Sequence, residues 1–141
     1  MEKDFEYLEH TADAEFIAYG RTVDEAFENA ALATAGLMVD PRTVKPVVEK
    51  NVELSGDALD TLLYDWLSEL LYIFEVDRLV FGKFQVNVTG ETGAYRMNAK
   101  IYGEGVDRHP DISMHIKAVT FHDLRFEKRN NIYEAQVLLD I

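Results

Sequence analysis

The sequence predicts an α+β fold: mixed, mostly antiparallel β-sheet layers with two amphipathic helices packed on them. Three observations carry this. Two stretches, one following Thr22 and one over about 58–76, repeat apolar residues at helical spacing. Most of the remaining chain alternates apolar and polar residues between turn signals. Helices and strands do not alternate regularly, which disfavours a doubly wound parallel sheet.

Each element has its own signal. Phe5 to Leu8 reads as a short strand, Glu9 to Asp13 as a polar connection, and Glu15 to Tyr19 as a second strand. Thr22, followed three residues later by Glu25, is a capping box, in which the two side chains take up orphan amides at a helix start. Phe27, Ala30, Ala31, Leu37 and Met38 continue that helix until Asp40-Pro41, because the residue before proline avoids helical geometry. Val47 to Leu54 reads as a strand, and Ser55-Gly56-Asp57 as a turn and helix cap. In the second helix Leu59, Leu62, Leu63, Trp66, Leu67, Leu70, Ile73 and Phe74 form a broad apolar stripe. Phe84, Val86 and Val88 alternate with polar residues, as do Tyr95, Met97, Ala99 and Ile101, with Thr89 to Gly93 as the hairpin turn between them. Gly103 to Ile112 reads as an irregular polar loop. Ala118 to Glu127 and Ile132 to Ile141 read as a second hairpin around Arg129-Asn130-Asn131.

The 141 residues are enough for one domain, 1–141, with a buried core. No apolar run approaches the roughly 18 residues of a membrane helix, and Met1 leads straight into charged residues. A membrane role and a secretory signal are therefore not expected, and the default compartment is cytoplasmic. The absence of cysteine excludes disulfide scaffolds, thiolate metal sites and cysteine nucleophiles. Fourteen Lys and Arg stand against 26 Asp and Glu, a net charge of −12. Such a chain repels phosphate backbones and has no basic tract to displace counterions, so direct nucleic-acid binding is not expected. A basic protein partner or a cation fits this charge better.

Candidate chemistry is confined to a few places. Acidic oxygens in Glu9-His10-Thr11-Ala12-Asp13 suit a hard cation, although Thr11 and Asp13 could equally bond nearby amides in a turn. The alternation Tyr133, Ala135, Val137, Leu139 runs to the end of the sequence. It would hold Asp140 and the terminal carboxylate of Ile141 close together, which is costly unless a cation neutralises them. Glu104 lies in a polar loop with Asp107, Arg108, His109 and Asp111, where a salt bridge is the plain alternative. Lys117 opens an apolar strand and is a natural partner for carboxylate or phosphate. His115 and His122 are seven apart, so on one strand they would face opposite sides and not form a two-histidine site. No phosphate loop, dinucleotide fingerprint, nucleophile elbow or His-Glu-x-x-His is present.

Tyr7-Leu8-Glu9-His10-Thr11-Ala12-Asp13 resembles the opening motif of the archease family. So do the stretch Leu62 to Phe74, the run Ile116-Lys117-Ala118-Val119-Thr120-Phe121-His122 and the closing Asp140-Ile141, in the same order along essentially the whole chain. The resemblance implies an archease-like fold and a small acidic protein that is not itself an enzyme. Archeases assist the RtcB-type RNA ligase of tRNA splicing, promoting its metal- and GTP-dependent guanylylation and its multiple turnover. It further implies a metal site at Asp13, Asp140 and Ile141, and a part for Lys117 in activating the ligase. His10, Glu104 and His122 remain further candidates. Phe121 stands where the family commonly has tyrosine. Oxygen-only ligands favour calcium, with magnesium or manganese as alternatives, over zinc. Two other classes compete: a metal-dependent phosphoester hydrolase using Asp13, Asp140 and His10, and a general chaperone or interaction module.

Overall fold

The structure, a computed structural model, describes residues 3–8, 13–112 and 115–141. In chain order the elements are β1 (Phe5–Leu8), β2 (Asp13–Gly20), α1 (Val23–Met38), β3 (Val48–Gly56), α2 (Leu59–Asp77), β4 (Leu79–Glu91), β5 (Ala94–Gly105), β6 (Ala118–Val119), β7 (Arg125–Arg129) and β8 (Ile132–Asp140). Single 3-10 turns lie at Pro41–Thr43 and Val106–Arg108. The α+β architecture is the expected one, and every described strand pair is antiparallel.

The strands form two sheets. One runs β1-β2-β8-β6, with β7 also paired to β8; the other runs β3-β5-β4. β8 holds the first sheet together: β2 lies along one side, and on the other side β7 pairs with residues 132–136 and β6 with residues 139–140. No described helix is long and apolar enough to cross a membrane.

The helices join the sheets into one core. On α1, Phe27 is fully buried and meets Phe126 of β7 edge to face at 5.4 Å. On α2, fully buried Trp66 meets Phe84 of β4 edge to face at 6.2 Å. The Trp66 indole N–H also donates to the Phe27 carbonyl of α1 at 3.0 Å, which satisfies a polar atom that would be costly to bury alone. Phe16 and Ala18 of β2, with Ala135, Val137 and Leu139 of β8, supply the first sheet's buried face. Val52, Val86, Met97, Ala99 and Ile101 supply the second's.

The capping box forms with one variation. Thr22 Oγ1 accepts the Glu25 amide at 3.1 Å, while Glu25 reaches back to the Arg21 amide at 3.0 Å. α1 ends at Met38, ahead of the Asp40-Pro41 signal. At the second hairpin, Asn130 and Asn131 both take positive φ, +53° and +65°, as a two-residue turn matched to strand twist requires.

Four expectations are corrected. Asp57 does not cap α2: β3 runs through Gly56, and the cap is Ala58, which makes no side-chain hydrogen bond. The first hairpin turn is shorter than the 89–93 stretch, because the β4–β5 ladder continues to the pair Glu91↔Ala94. Residues 103–105 belong to β5 and do not open a loop. A Cβ on Gly103 would lie 1.8 Å from the Val80 carbonyl, so only glycine lets the strands come this close. Ala118 to Glu127 is not one strand: pairing with β8 stops after Val119 and resumes at Arg125, with Asp123 turning the chain at φ +59°.

Candidate functional site

Antiparallel pairing builds the site from the two ends of the chain. β2 begins where β8 finishes, so Asp13 lies directly opposite Asp140. On the other side of β8, Asp140 is opposite Ala118 of β6. Asp13, Asp140 and Ala118 therefore form one row across three strands. One residue further along β8 is Ile141, and one residue back from β6 is Lys117. The Lys117 amide donates to the Asp140 carbonyl at 2.8 Å, which ties these positions together.

The surroundings fix the orientation of this row. Leu139 is fully buried, so alternation turns Asp140 to the opposite face of the sheet. Phe16 is fully buried on β2, and the same alternation places Asp13 and Glu15 on the face opposite to it. Ile116 and Val119, 5% and 4% exposed, anchor the segment that carries Lys117, while Lys117 itself is exposed. Thr120 secures the far end: its amide and hydroxyl both donate to the Leu138 carbonyl, each at 3.1 Å.

Two carboxylates directly opposite each other on adjacent strands repel unless something neutralises them. Their oxygens, with those of Ile141, are the donors a hard cation takes, so the chemistry of the set fits such an ion. Among the described residues no group of three or more His, Asp or Glu side chains gathers as a metal site. Main-chain or terminal oxygens would have to complete the coordination. His10, with Glu9, Thr11 and Ala12, lies outside the described residues.

Glu104 and His122 do not join this row. Glu104, 8% exposed on β5, accepts the Lys45 amide at 3.0 Å and pairs with the His109 ring at 2.8 Å. The Lys45 amide, then His109, holds its carboxyl below the usual carboxylate range. It clasps three chain segments together, which is the salt-bridge alternative. His122 is exposed beside Asp123 at 3.7 Å, and His115 is exposed 4.0 Å from Glu75; neither lies within a strand.

Sequence reasoning missed Glu15. It shares a face with Asp13, is 6% exposed, and accepts the Gln136 amide group at 3.1 Å. Gln136 in turn accepts from Arg125 at 3.1 Å, and Arg125 pairs with Glu127 and Glu134. A polar network thus runs along this face from beside Asp13. The signal was the period-two spacing of Asp13 and Glu15.

Comparison with known proteins places the chain in a family. Residues 5–141 match the model of the archease protein family (MTH1598/TM1083). A Methanosarcina mazei archease is 49% identical over 99% of this chain and 97% of its own length. A Pyrococcus furiosus archease is 39% identical over 99% of both chains. The solution structure of Methanobacterium thermoautotrophicum protein 1598 superposes with a TM-score of 0.88 at 36% identity, covering 98% of this chain and 99% of that one. An archease crystal structure from Thermotoga maritima, 20% identical with a TM-score of 0.57, shares the fold. Matched along nearly its whole length by the family model and by these relatives, the chain belongs to the archease family.

Proposed function

We propose that this protein is a non-enzymatic cofactor of an RtcB-type RNA ligase in tRNA splicing. It promotes the metal- and GTP-dependent guanylylation of the ligase and its repeated turnover. The observation that carries this reading is the row Asp13–Asp140–Ala118, with Lys117 bonded to Asp140, in a chain of the archease family. Asp13, Asp140 and the oxygens of Ile141 hold a divalent cation, calcium first, with magnesium or manganese as alternatives. When bound, the cation neutralises the opposed carboxylates. Lys117, exposed and joined to Asp140 through its main-chain amide, presents a cation to the ligase. The charge of −12 supports a protein partner: a ligase that handles RNA offers a positive surface, and complementary charge speeds encounter.

The test is a guanylylation assay with the ligase of the same organism, GTP and limiting metal. The protein is expected to stimulate ligase guanylylation, and Asp13→Ala or Asp140→Ala is expected to abolish the stimulation. A second reading has one observation in its favour. The Thermotoga maritima archease is described as a possible chaperone, and exposed Tyr72, Val76 and Phe121 here are side chains a client could contact. Metal-independent protection of an unrelated unfolding protein would support that reading instead.

A further inference from the structure

A groove of about 510 Å³ separates α2 from the segment leading into β6. Tyr64, Leu71 and Tyr72 line the helix side, and His115, Lys117 and Val119 the strand side. Its apolar side chains are not all covered. Tyr72 is 61% exposed and Val76, one turn further along α2, is 56% exposed. Phe121, 64% exposed, lies flat on Tyr64 with ring centroids 4.0 Å apart and planes 8° from parallel. Of these exposed side chains Tyr72 lines the groove, Phe121 borders it through Tyr64, and Val76 follows Tyr72 by one turn of α2. Scattered exposed apolar residues need no explanation, whereas a cluster beside a cleft marks a contact surface.

One charge in this cleft is left over. Glu75 on the helix side stands 4.0 Å from His115 on the strand side, and Lys117 completes the charged lining. Lys117 makes no ion pair among the described residues. Among the described residues the two-residue strand β6 pairs with β8 on one side and with no strand on the other, the kind of edge to which a further strand can add. An apolar floor, a strand edge and an unpaired cation together fit an extended segment that adds at the edge and seats alternate side chains. The groove and the carboxylate row share the main-chain bond from the Lys117 amide to the Asp140 carbonyl, although the carboxylates themselves do not line the groove.

We propose that this groove seats an extended segment of the ligase in which a large apolar side chain stands next to a carboxylate. The apolar side chain packs on Tyr72, Val76 and the Tyr64–Phe121 stack. The carboxylate meets Lys117. The inference rests on the ligase-cofactor reading, and it assigns the surface by which the partner docks.

The experiment titrates the labelled full-length protein with the ligase and reads the dissociation constant by fluorescence anisotropy. The variants are Tyr72→Ser with Val76→Ser, Phe121→Ala, Lys117→Ala, and a control, Asn98→Ala, exposed on β5 of the other sheet. The groove variants are expected to weaken binding by about tenfold or more, as buried aromatic anchors do, and the control to leave it unchanged. A photo-crosslinking benzoylphenylalanine at position 72 is expected to capture the ligase, and the same group at position 98 is not. Wild-type binding that every groove variant retains, with no crosslink from position 72, would overturn the groove but leave the ligase as partner. If the wild type fails to bind, the ligase reading itself is overturned, and this proposal with it.

Discussion

Asp13 and Asp140, 127 positions apart in sequence, are direct partners across adjacent antiparallel strands. Like charges placed opposite one another across a sheet repel, and the cation proposed between them would relieve that repulsion. Asp140→Asn should therefore leave the metal-free melting temperature unchanged or raise it. Calcium at about a hundred times its dissociation constant should stabilise the wild type by about 2.7 kcal/mol and leave Asp140→Asn unmoved. Thermal melts with chelator and with calcium read both effects. An equal calcium shift in the two proteins would remove Asp140 from the site.

The open edge of β4 is closed by carboxylates from α1. Glu28 accepts the Val86 amide at 2.8 Å, and Asp24 accepts the Val88 amide at 2.7 Å. Glu28→Ala leaves the Val86 amide without its acceptor and should cost about 1 kcal/mol in urea unfolding at pH 7. Burial, the largest influence, raises the Glu28 carboxyl above its ordinary range, against the opposing pull of the Val86 amide. Its titration therefore favours folding at acid pH, and that contribution is lost as pH rises through the raised value. Glu28→Gln keeps an acceptor without the buried charge. It should equal or exceed the wild type at pH 7 and fall behind it at acid pH.

Glu104 has the opposite sign. Its carboxyl is held low by the Lys45 amide and His109, so its stabilising contribution is present above the ordinary carboxylate range and disappears as pH falls through the lowered value. Glu104→Gln should lower the melting temperature at neutral pH. The gap from the wild type should close in strong acid. A gap that widens on acidification would contradict the clasp.

Trp66 ties α2 to α1 and to the second sheet at once. Trp66→Ala should cost about 3–5 kcal/mol, the range for emptying a buried aromatic site. Trp66→Phe should cost less, because it keeps most of the volume and loses the hydrogen bond to the Phe27 carbonyl. Denaturant midpoints of the two variants separate packing from hydrogen bonding.

The Asn130-Asn131 turn offers a backbone test. Both residues are left-handed, a region that asparagine tolerates and β-branched residues do not. Asn131→Val should lose about 1–2 kcal/mol, while Asn131→Gly should be neutral or slightly stabilising. Equal effects would mean that the turn does not hold the β7–β8 register.

Local signals carried much of this fold. The α2 stripe, the Thr22–Glu25 cap and the asparagine turn each depend on neighbours within a few positions, and each stands as read. Where tertiary context decided, the reading slipped. The apolar run after Ala118 looks like one strand, but β8 pairs with its two ends and not with its middle. Gly103 and Gly105 look like loop hinges, yet β4 runs alongside them and makes them strand. The carboxylates of Asp24 and Glu28 look like ordinary acids near a helix start; nothing local says that they meet a strand edge. The site was legible as separate pieces, with Asp13 and Asp140 each suggestive of a cation. Their meeting came from the resemblance and from pairing between distant strands, and the main-chain bond that brings Lys117 to Asp140 came from the fold alone.

The most direct measurement follows ligase guanylylation against metal concentration for the wild type, Asp13→Asn and Asp140→Asn. The paired-carboxylate site predicts that the wild type shifts guanylylation to lower metal concentration and that both variants behave as though no protein had been added. Full stimulation by either variant at limiting metal would contradict it.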